Sequence, residues 1–323
     1  MAEAKTVLVS GGAGYIGSAL VSRLLRDTNW NVKVFDNLMY GGDSLFHYFN
    51  FGRFSFIKGD LRKFELSKIV ENVDYVVNLA ALVGEPICKK YPKEAQEINF
   101  DANINLAKIC EKHGIDRYIM MSTCSNYGKR QDQVMLKEDD ELQPISLYSE
   151  TKVNSENVLL KELPELPAIV LRASTAYGMA ARIRFDLLLH QFILEAWEKK
   201  QISLFGANSW RPMVHVDDIA QAIVLVMMKN DKIKQKDVFN VGSNDQNFQK
   251  IKLAEMVAKR FNAEISEVKS KKDPRDYQVS FDKISSELGY YTLHKPQESI
   301  EQIASSIESG LITNQILHES VNI

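Results

Sequence analysis

The chain has 323 residues, 45% hydrophobic and 25% charged, with a formal net charge of −2. That length allows one large α/β domain or two modest ones, and the near-neutral charge without a Lys/Arg run argues against nucleic acid as a partner. No apolar run approaches the roughly 20 residues that span a bilayer, and the amino terminus lacks a basic stretch followed by an apolar core, so no membrane partner and a cytoplasmic location are expected. Cys88, Cys110 and Cys124 are scattered, with no CxxC spacing and no His cluster, which suggests a reducing compartment and no metal site.

Five β-branched runs occupy 5–10, 31–36, 53–60, 73–81 and 116–123. Helical segments near 14–27, 64–71 and 93–113 separate them. Nearly continuous apolar strands alternating with helices predict an α/β fold: a Rossmann-type, doubly wound parallel sheet covered on both faces. A helix over 146–161 and a strand over 168–173 follow. The rhythm then loosens into a long helix (183–200), a short strand (202–205), a helix from Asp217 to Met228, a strand (237–242) and two further helices. This predicts a dinucleotide-binding domain over 1–172 and a smaller mixed α/β substrate lobe over 173–323, some of whose strands and helices return to the first domain.

"VLVSGGAGYIGSAL" places Gly11, Gly14 and Gly17 directly after the first strand, in GxxGxxG spacing. A plain tight turn would explain a glycine triplet alone. At the start of a βαβ unit, the glycines instead allow a turn, a close backbone approach to a pyrophosphate and tight helix–strand packing. The helix N-terminus, with Tyr15 and Ile16 in its first turn, then offers free N–H groups to the phosphates. Asp36, about 20 residues on, is placed to accept ribose hydroxyls, with Asn37 beside it, and favours NAD over NADP. Asp60 and Leu61 follow the third strand and could flank the adenine. Leu79, Ala80 and Ala81 follow the fourth, with the small residues a dinucleotide lying on backbone needs.

"SLYSETK" puts Tyr148 one helical turn before Lys152, so phenol and ammonium can share a face. In isolation this is also an ordinary amphipathic helix.

Taken in order, "SGGAGYIG", "DNL", "GDLR", "NLAA", "MSTCSNYG", "YSETK", "LRASTAYG", "RPMVHVDDIA", "FNVG" and "DPRDYQVSFDKISSELGY" resemble the extended short-chain dehydrogenase/reductases that act on nucleotide sugars. The resemblance spans nearly the whole chain and includes the epimerases and dehydratases of that family. It implies an NAD-binding Rossmann lobe, a C-terminal lobe holding a nucleotide-diphosphate sugar, and a homodimer. It also implies that Tyr148 and Lys152 are catalytic and contact the cofactor, with Thr123 completing the set against the substrate. A free tyrosine has a pKa of about 10, and a lysine and a nicotinamide cation nearby are expected to lower it. Asn99 matches a family asparagine near the cofactor, or is a buried helix amide. Arg211 and Arg275 match arginines that reach the substrate diphosphate. His215 and Asp217 read as structural.

Two departures narrow the chemistry. Sugar-nucleotide 4,6-dehydratases carry Asp-Glu after the catalytic threonine, where this chain has Cys124 and Ser125. Thr175 stands where many 4-epimerases have asparagine, and the loop after it carries Arg182 and Arg184 in an apolar setting. Thr175 and Arg184 are therefore read as substrate contacts. The expected activity is NAD-dependent oxidation at C4 with net epimerisation. A 4-dehydrogenase or 4-ketoreductase is the nearest alternative, and a dehydratase or a non-catalytic dinucleotide-binding scaffold the more distant ones.

Overall fold

The computed structural model of the chain describes residues 4–129, 134–268 and 275–322. Asp273 and Pro274 of the late motif lie outside them. The chain begins with Thr6–Ser10 (β1), Tyr15–Asp27 (α1), Asn31–Asp36 (β2), Phe54–Lys58 (β3), Ser67–Val70 (α2) and Tyr75–Asn78 (β4). Next come Glu85–Lys90 (α3), Pro92–Gln96 (α4), Asn103–His113 (α5) and Arg117–Thr123 (β5). Met135–Leu136 (β6), Leu147–Asn157 (α6), Ala168–Ala173 (β7) and Thr175–Tyr177 (β8) lead into Leu188–Lys199 (α7), Gln201–Leu204 (β9), Trp210–His215 (β10) and Val216–Met228 (α8). The chain continues through Asp237–Val241 (β11), Asn247–Gln249 (β12), Lys250–Phe261 (α9), Glu264–Glu267 (β13), Gln278–Val279 (β14), Asp282–Leu288 (α10), Pro296–Glu308 (α11) and Asn314–Glu319 (α12).

The main sheet has seven strands in the order β11-β7-β5-β4-β1-β2-β3, and every pairing is parallel. β4 and β7 are buried along their whole length, as strands covered on both faces must be. One face packs under α1 and α8 and the other under α2 and α5. Strand order reverses between β1 and β4, which opens a crevice at their C-terminal ends. β11 and α8 lie beyond residue 173, yet β11 pairs with β7 and α8 residues pack with α1 residues in one core. A second core gathers α7, α9 and α11 around β9.

Several expected elements are shorter or interrupted. The strand expected over 73–81 stops at Asn78, because Asn99 takes over the backbone beyond: its Oδ1 accepts from Leu82 N (2.7 Å) and its Nδ2 donates to Leu82 O (2.9 Å). Asn99 itself sits in a π-helical stretch, Glu97–Ala102, that interrupts the helix expected over 93–113. The helix expected from 183 starts at Leu188, since Arg184 to Leu187 run along the crevice instead. The segment expected as a helix at 64–71 forms only the short α2. A 3-10 helix at Asp43–Asn50 and the sheet β12-β10-β8 were not anticipated, the latter because its strands are short and lack alternation.

Candidate active site

A cavity of about 820 Å³ follows the crevice from β2 to the second lobe. Its wall begins at the glycine turn. Gly11 has φ +80°, and a Cβ there would stand 2.7 Å from Ala80 N. At Gly17 a Cβ would meet Gly11 O at 2.3 Å, so α1 can lie on the turn only without a side chain. Replacing Gly17 with alanine should force α1 away from the turn, cost about 1–3 kcal/mol and weaken NAD binding. Thermal unfolding together with the NAD content of purified protein checks this. No side chain caps the first turn of α1, so its N–H groups are available to an anion. Ser10 Oγ and Tyr40 Oη are buried without a hydrogen-bond partner among the described residues, and both residues line the cavity.

Asp36 ends β2. Its carboxylate accepts from Ala13 N (3.0 Å) and Leu38 N (2.8 Å), which ties the glycine turn to the second strand. Burial raises its pKa, and these backbone N–H groups oppose the rise. Asn37 Oδ1 accepts from Met39 N. Asp60 pairs with Arg62 (2.7 Å), whose hydrogen bond holds that carboxyl below its usual range. Leu61, Leu79, Ala80 and Ala81 complete this half of the wall, together with Tyr15 and Ile16. Among these features, the glycine turn, the uncapped helix and the orphaned hydroxyls all suit a dinucleotide.

Thr123 ends β5 on the cavity, and its Oγ1 accepts from Ser125 N (3.1 Å), capping the short helical turn that follows. Tyr148 and Lys152 come from α6, whose start is set by Ser146 and Ser149 in a reciprocal cap. Lys152 Nζ donates to Met121 O at 2.9 Å and stands 6.0 Å from the centre of the Tyr148 ring. Burial lowers the Lys152 pKa to about 8. Burial also raises the Tyr148 phenol above its ordinary value; Cys88 adds to that rise, and Arg184 opposes it. The sequence reading expects Lys152 and a nicotinamide cation together to draw the phenol down; in the protein by itself, burial outweighs the nearby charge.

The second lobe supplies the other end. Thr175 comes from β8. Arg184 is buried and forks onto Asp186 at 3.0 and 2.5 Å. Arg211 on β10 donates to Trp210 O and to Arg275 O (2.5 Å), which brings the two arginines side by side. All the residues read from the sequence as catalytic, cofactor or substrate contacts line this cavity except Asn99. Asn99 stands behind the wall, its amide engaged by Leu82. The sequence reading did not single out Tyr40, Lys89, Phe205 or Lys250, which also line it. Of these, Tyr40 carried a signal, closely following Asp36 in "DNLMYGG".

Cys124 is fully buried and is not among the residues that line the cavity, its Sγ donating to Arg172 O (3.1 Å). Burial pushes its thiol up to about 12. Behind β5, Glu156 accepts from Ser122 Oγ (2.5 Å) and pairs with Arg172 at 2.7 Å, nearly all of it out of solvent. The carboxylates that line the cavity are Asp36, Asp60, Glu85 and Asp186; the residues directly after Thr123 contribute none. Cys124→Ala should therefore keep turnover within about twofold of the parent while costing about 1 kcal/mol of stability, as steady-state rates and denaturant midpoints would show.

A parallel sheet reversing at β1/β4, a glycine turn under an uncapped helix and a buried Tyr–Lys pair together define an NAD-dependent enzyme of the extended short-chain dehydrogenase/reductase class. The chain belongs to the NAD dependent epimerase/dehydratase family, whose profile matches residues 7–242. It is 30% identical to an uncharacterized UDP-glucose epimerase, YtcB, of Bacillus subtilis (strain 168) over 252 residues, 74% of this chain and 77% of that one. The fold superposes on UDP-glucuronic acid 4-epimerase from Bacillus cereus, solved with UDP-glucuronic acid and NAD. The TM-score is 0.84 at 25% identity, covering 94% of this chain and 99% of that chain. It superposes almost as well on dTDP-glucose 4,6-dehydratase from Bacillus anthracis str. Ames, solved with NAD: TM-score 0.82, 25% identity, covering 94% and 98%. The protein is thus an NAD-dependent sugar-nucleotide enzyme. Among the described residues, no helix is long and apolar enough to cross a membrane.

Proposed function

We propose that the protein interconverts C4 epimers of a UDP-hexose or a related nucleotide sugar through a 4-keto intermediate. The observation that carries this reading is Thr123, Tyr148 and Lys152 on one cavity, with the neighbour of Thr123 a buried thiol outside the cavity lining. Elimination of water from the sugar needs an acid and a base beside the reacting carbons, and the dehydratase pair after the threonine is replaced by Cys124 and Ser125.

NAD, when bound, supplies the hydride acceptor and a cationic ring beside the phenol. As phenolate, which the positive charges of Lys152 and of bound NAD would favour against burial, Tyr148 would take the proton of the C4 hydroxyl as that carbon is oxidised, and return it when the carbon is reduced from its other face. Thr123 holds the same sugar oxygen by a hydrogen bond. Lys152, fixed on Met121 O, keeps positive charge near the phenol and anchors the cofactor ribose. Gly11, Gly14, Tyr15, Ile16 and Gly17 carry the pyrophosphate, and Asp36 and Asn37 the adenosine ribose. Asp60 and Leu61 flank the adenine, while Leu79 to Ala81 carry the middle of the cofactor. Arg211 and Arg275 take the substrate diphosphate, a planar fork being suited to bidentate phosphate contacts. Thr175 and Arg184 face the sugar.

The test is incubation of the purified protein with UDP-, dTDP-, GDP-, CDP- and ADP-sugars, followed by separation and mass analysis of the products. A product of unchanged mass with inverted C4 supports the reading. Stoichiometric NADH, or a product lighter by one water, overturns it in favour of a dehydrogenase or a dehydratase.

A further inference from the structure

Arg182 belongs to the second lobe but reaches the cofactor half of the cavity. Its guanidinium carbon lies 4.5 Å from the centre of the Tyr40 ring, and Tyr40 follows β2 just after Asp36. Its backbone N lies 3.4 Å from Ser18 Oγ in the first turns of α1. Arg182, Gly14, Tyr15 and Ile16 all line the cavity; Arg182 Nη2 donates to Val321 O at 3.5 Å, and its charge is felt at both Asp36 and Tyr40.

The loop that carries it is pinned at both ends by one imidazole. Gly178 N donates to His190 Nε2 (2.9 Å), and His190 Nδ1 lies 2.6 Å from Arg184 O. Accepting at Nε2 leaves the proton on Nδ1, so the ring is neutral, and burial keeps its pKa down at about 4. Tyr15 Oη adds a third tie, donating to Gly178 O at 2.7 Å. The loop is therefore stitched to the glycine-turn helix.

Among the described residues Arg182 forms no ion pair within 4.0 Å, whereas Arg184 beside it is neutralised by Asp186. A guanidinium held over the face of Tyr40, whose hydroxyl is buried without a partner among the described residues, in a cavity that the uncapped start of α1 also lines, is matched to an anion with several oxygens. The dinucleotide's own pyrophosphate is the anion that the glycine turn brings there.

We propose that Arg182, stacked on Tyr40, clamps the NAD pyrophosphate from the second lobe and adds to the hold on the cofactor. This rests on the reading above and extends it: an epimerase that returns hydride to its substrate gains from holding NAD through every turnover.

The test needs no sugar. NAD carried by the purified protein is quantified after denaturation. Dissociation constants for NAD, ADP-ribose and adenosine are then measured on stripped protein for the parent, Arg182→Ala and Arg182→Lys. The proposal expects the parent to purify with NAD and the alanine variant to lose it. NAD and ADP-ribose should both bind the alanine variant roughly 10- to 100-fold more weakly, as for a lost charge-assisted contact, with adenosine unchanged. The lysine variant, which keeps charge but loses the fork, should fall between; if the alanine variant does not fold, that intermediate loss is the deciding value. Unchanged NAD and ADP-ribose affinity in the variants overturns the proposal. An equal loss for adenosine also overturns it, since Arg182 would then act at the ribose. Because cofactor binding is read alone, the clamp can fail while epimerisation stands, and the reverse.

Discussion

Tyr148→Phe should lower turnover by about 10²- to 10⁴-fold, the range for removing a positioned acid–base group, while fold and NAD content stay as in the parent. Phenylalanine keeps the ring that packs against the Leu82, Ile87 and Ile98 cluster, so no cavity opens. Only the hydroxyl is lost, and with it the group that carries the C4 proton in and out. Steady-state rates with the best sugar, NAD released on denaturation and near-ultraviolet circular dichroism check the three parts. Parental turnover in this variant would mean that the Tyr–Lys pair is unused and that another group carries the C4 proton.

Lys152→Met should abolish turnover to a similar extent and yet stabilise the NAD-free protein at neutral pH. The ammonium is buried, and burial lowers its pKa from 10.5 to about 8. A folded-state pKa below the unfolded value means that the folded chain binds fewer protons between those limits. Stability from this group is therefore fully present above about 10.5 and falls as pH drops towards 8. Below that, holding the charge costs about 3 kcal/mol. Methionine fills similar volume without charge but gives up the donor to Met121 O, worth about 1 kcal/mol. The expected gain is about 1–3 kcal/mol at pH 7, vanishing above pH 10.5. Denaturant midpoints of stripped protein across pH 7 to 10.5 measure it, and a variant less stable than the parent at pH 7 would contradict the account. Function here keeps a destabilising charge where chemistry needs it.

The parts of the molecule legible in the sequence are those where local pattern and tertiary role agree. β1, β2, β5 and β7 are continuous apolar runs because both faces of the sheet are covered, and they appear within a residue or two of their expected limits. The glycines were legible because backbone closeness excludes every other residue. The resemblance in motif order brought in Thr123, Arg211 and Arg275, which no spacing argument would have gathered from three distant segments. What stayed hidden is set by tertiary contacts. The π-helical stretch at Glu97–Ala102 has no periodicity of its own; it turns Asn99, for which the sequence left a cofactor contact and a buried amide open, onto Leu82. Arg184 to Leu187 read as the start of a helix because their setting is largely apolar, but Arg184 and Asp186 satisfy one another beside the cavity and the helix begins later. The raised phenol of Tyr148 also escaped the sequence, since burial is a property of the whole fold.

The central claim is that hydride taken from C4 returns to C4 of the same sugar. The most direct measurement uses a UDP-hexose deuterated at C4, incubated with the enzyme in ordinary water and followed by proton NMR and mass spectrometry. The account predicts an epimer that retains its deuterium at C4 with no change in mass. Deuterium lost to solvent or left on released cofactor, or a product lighter by one water, would contradict it.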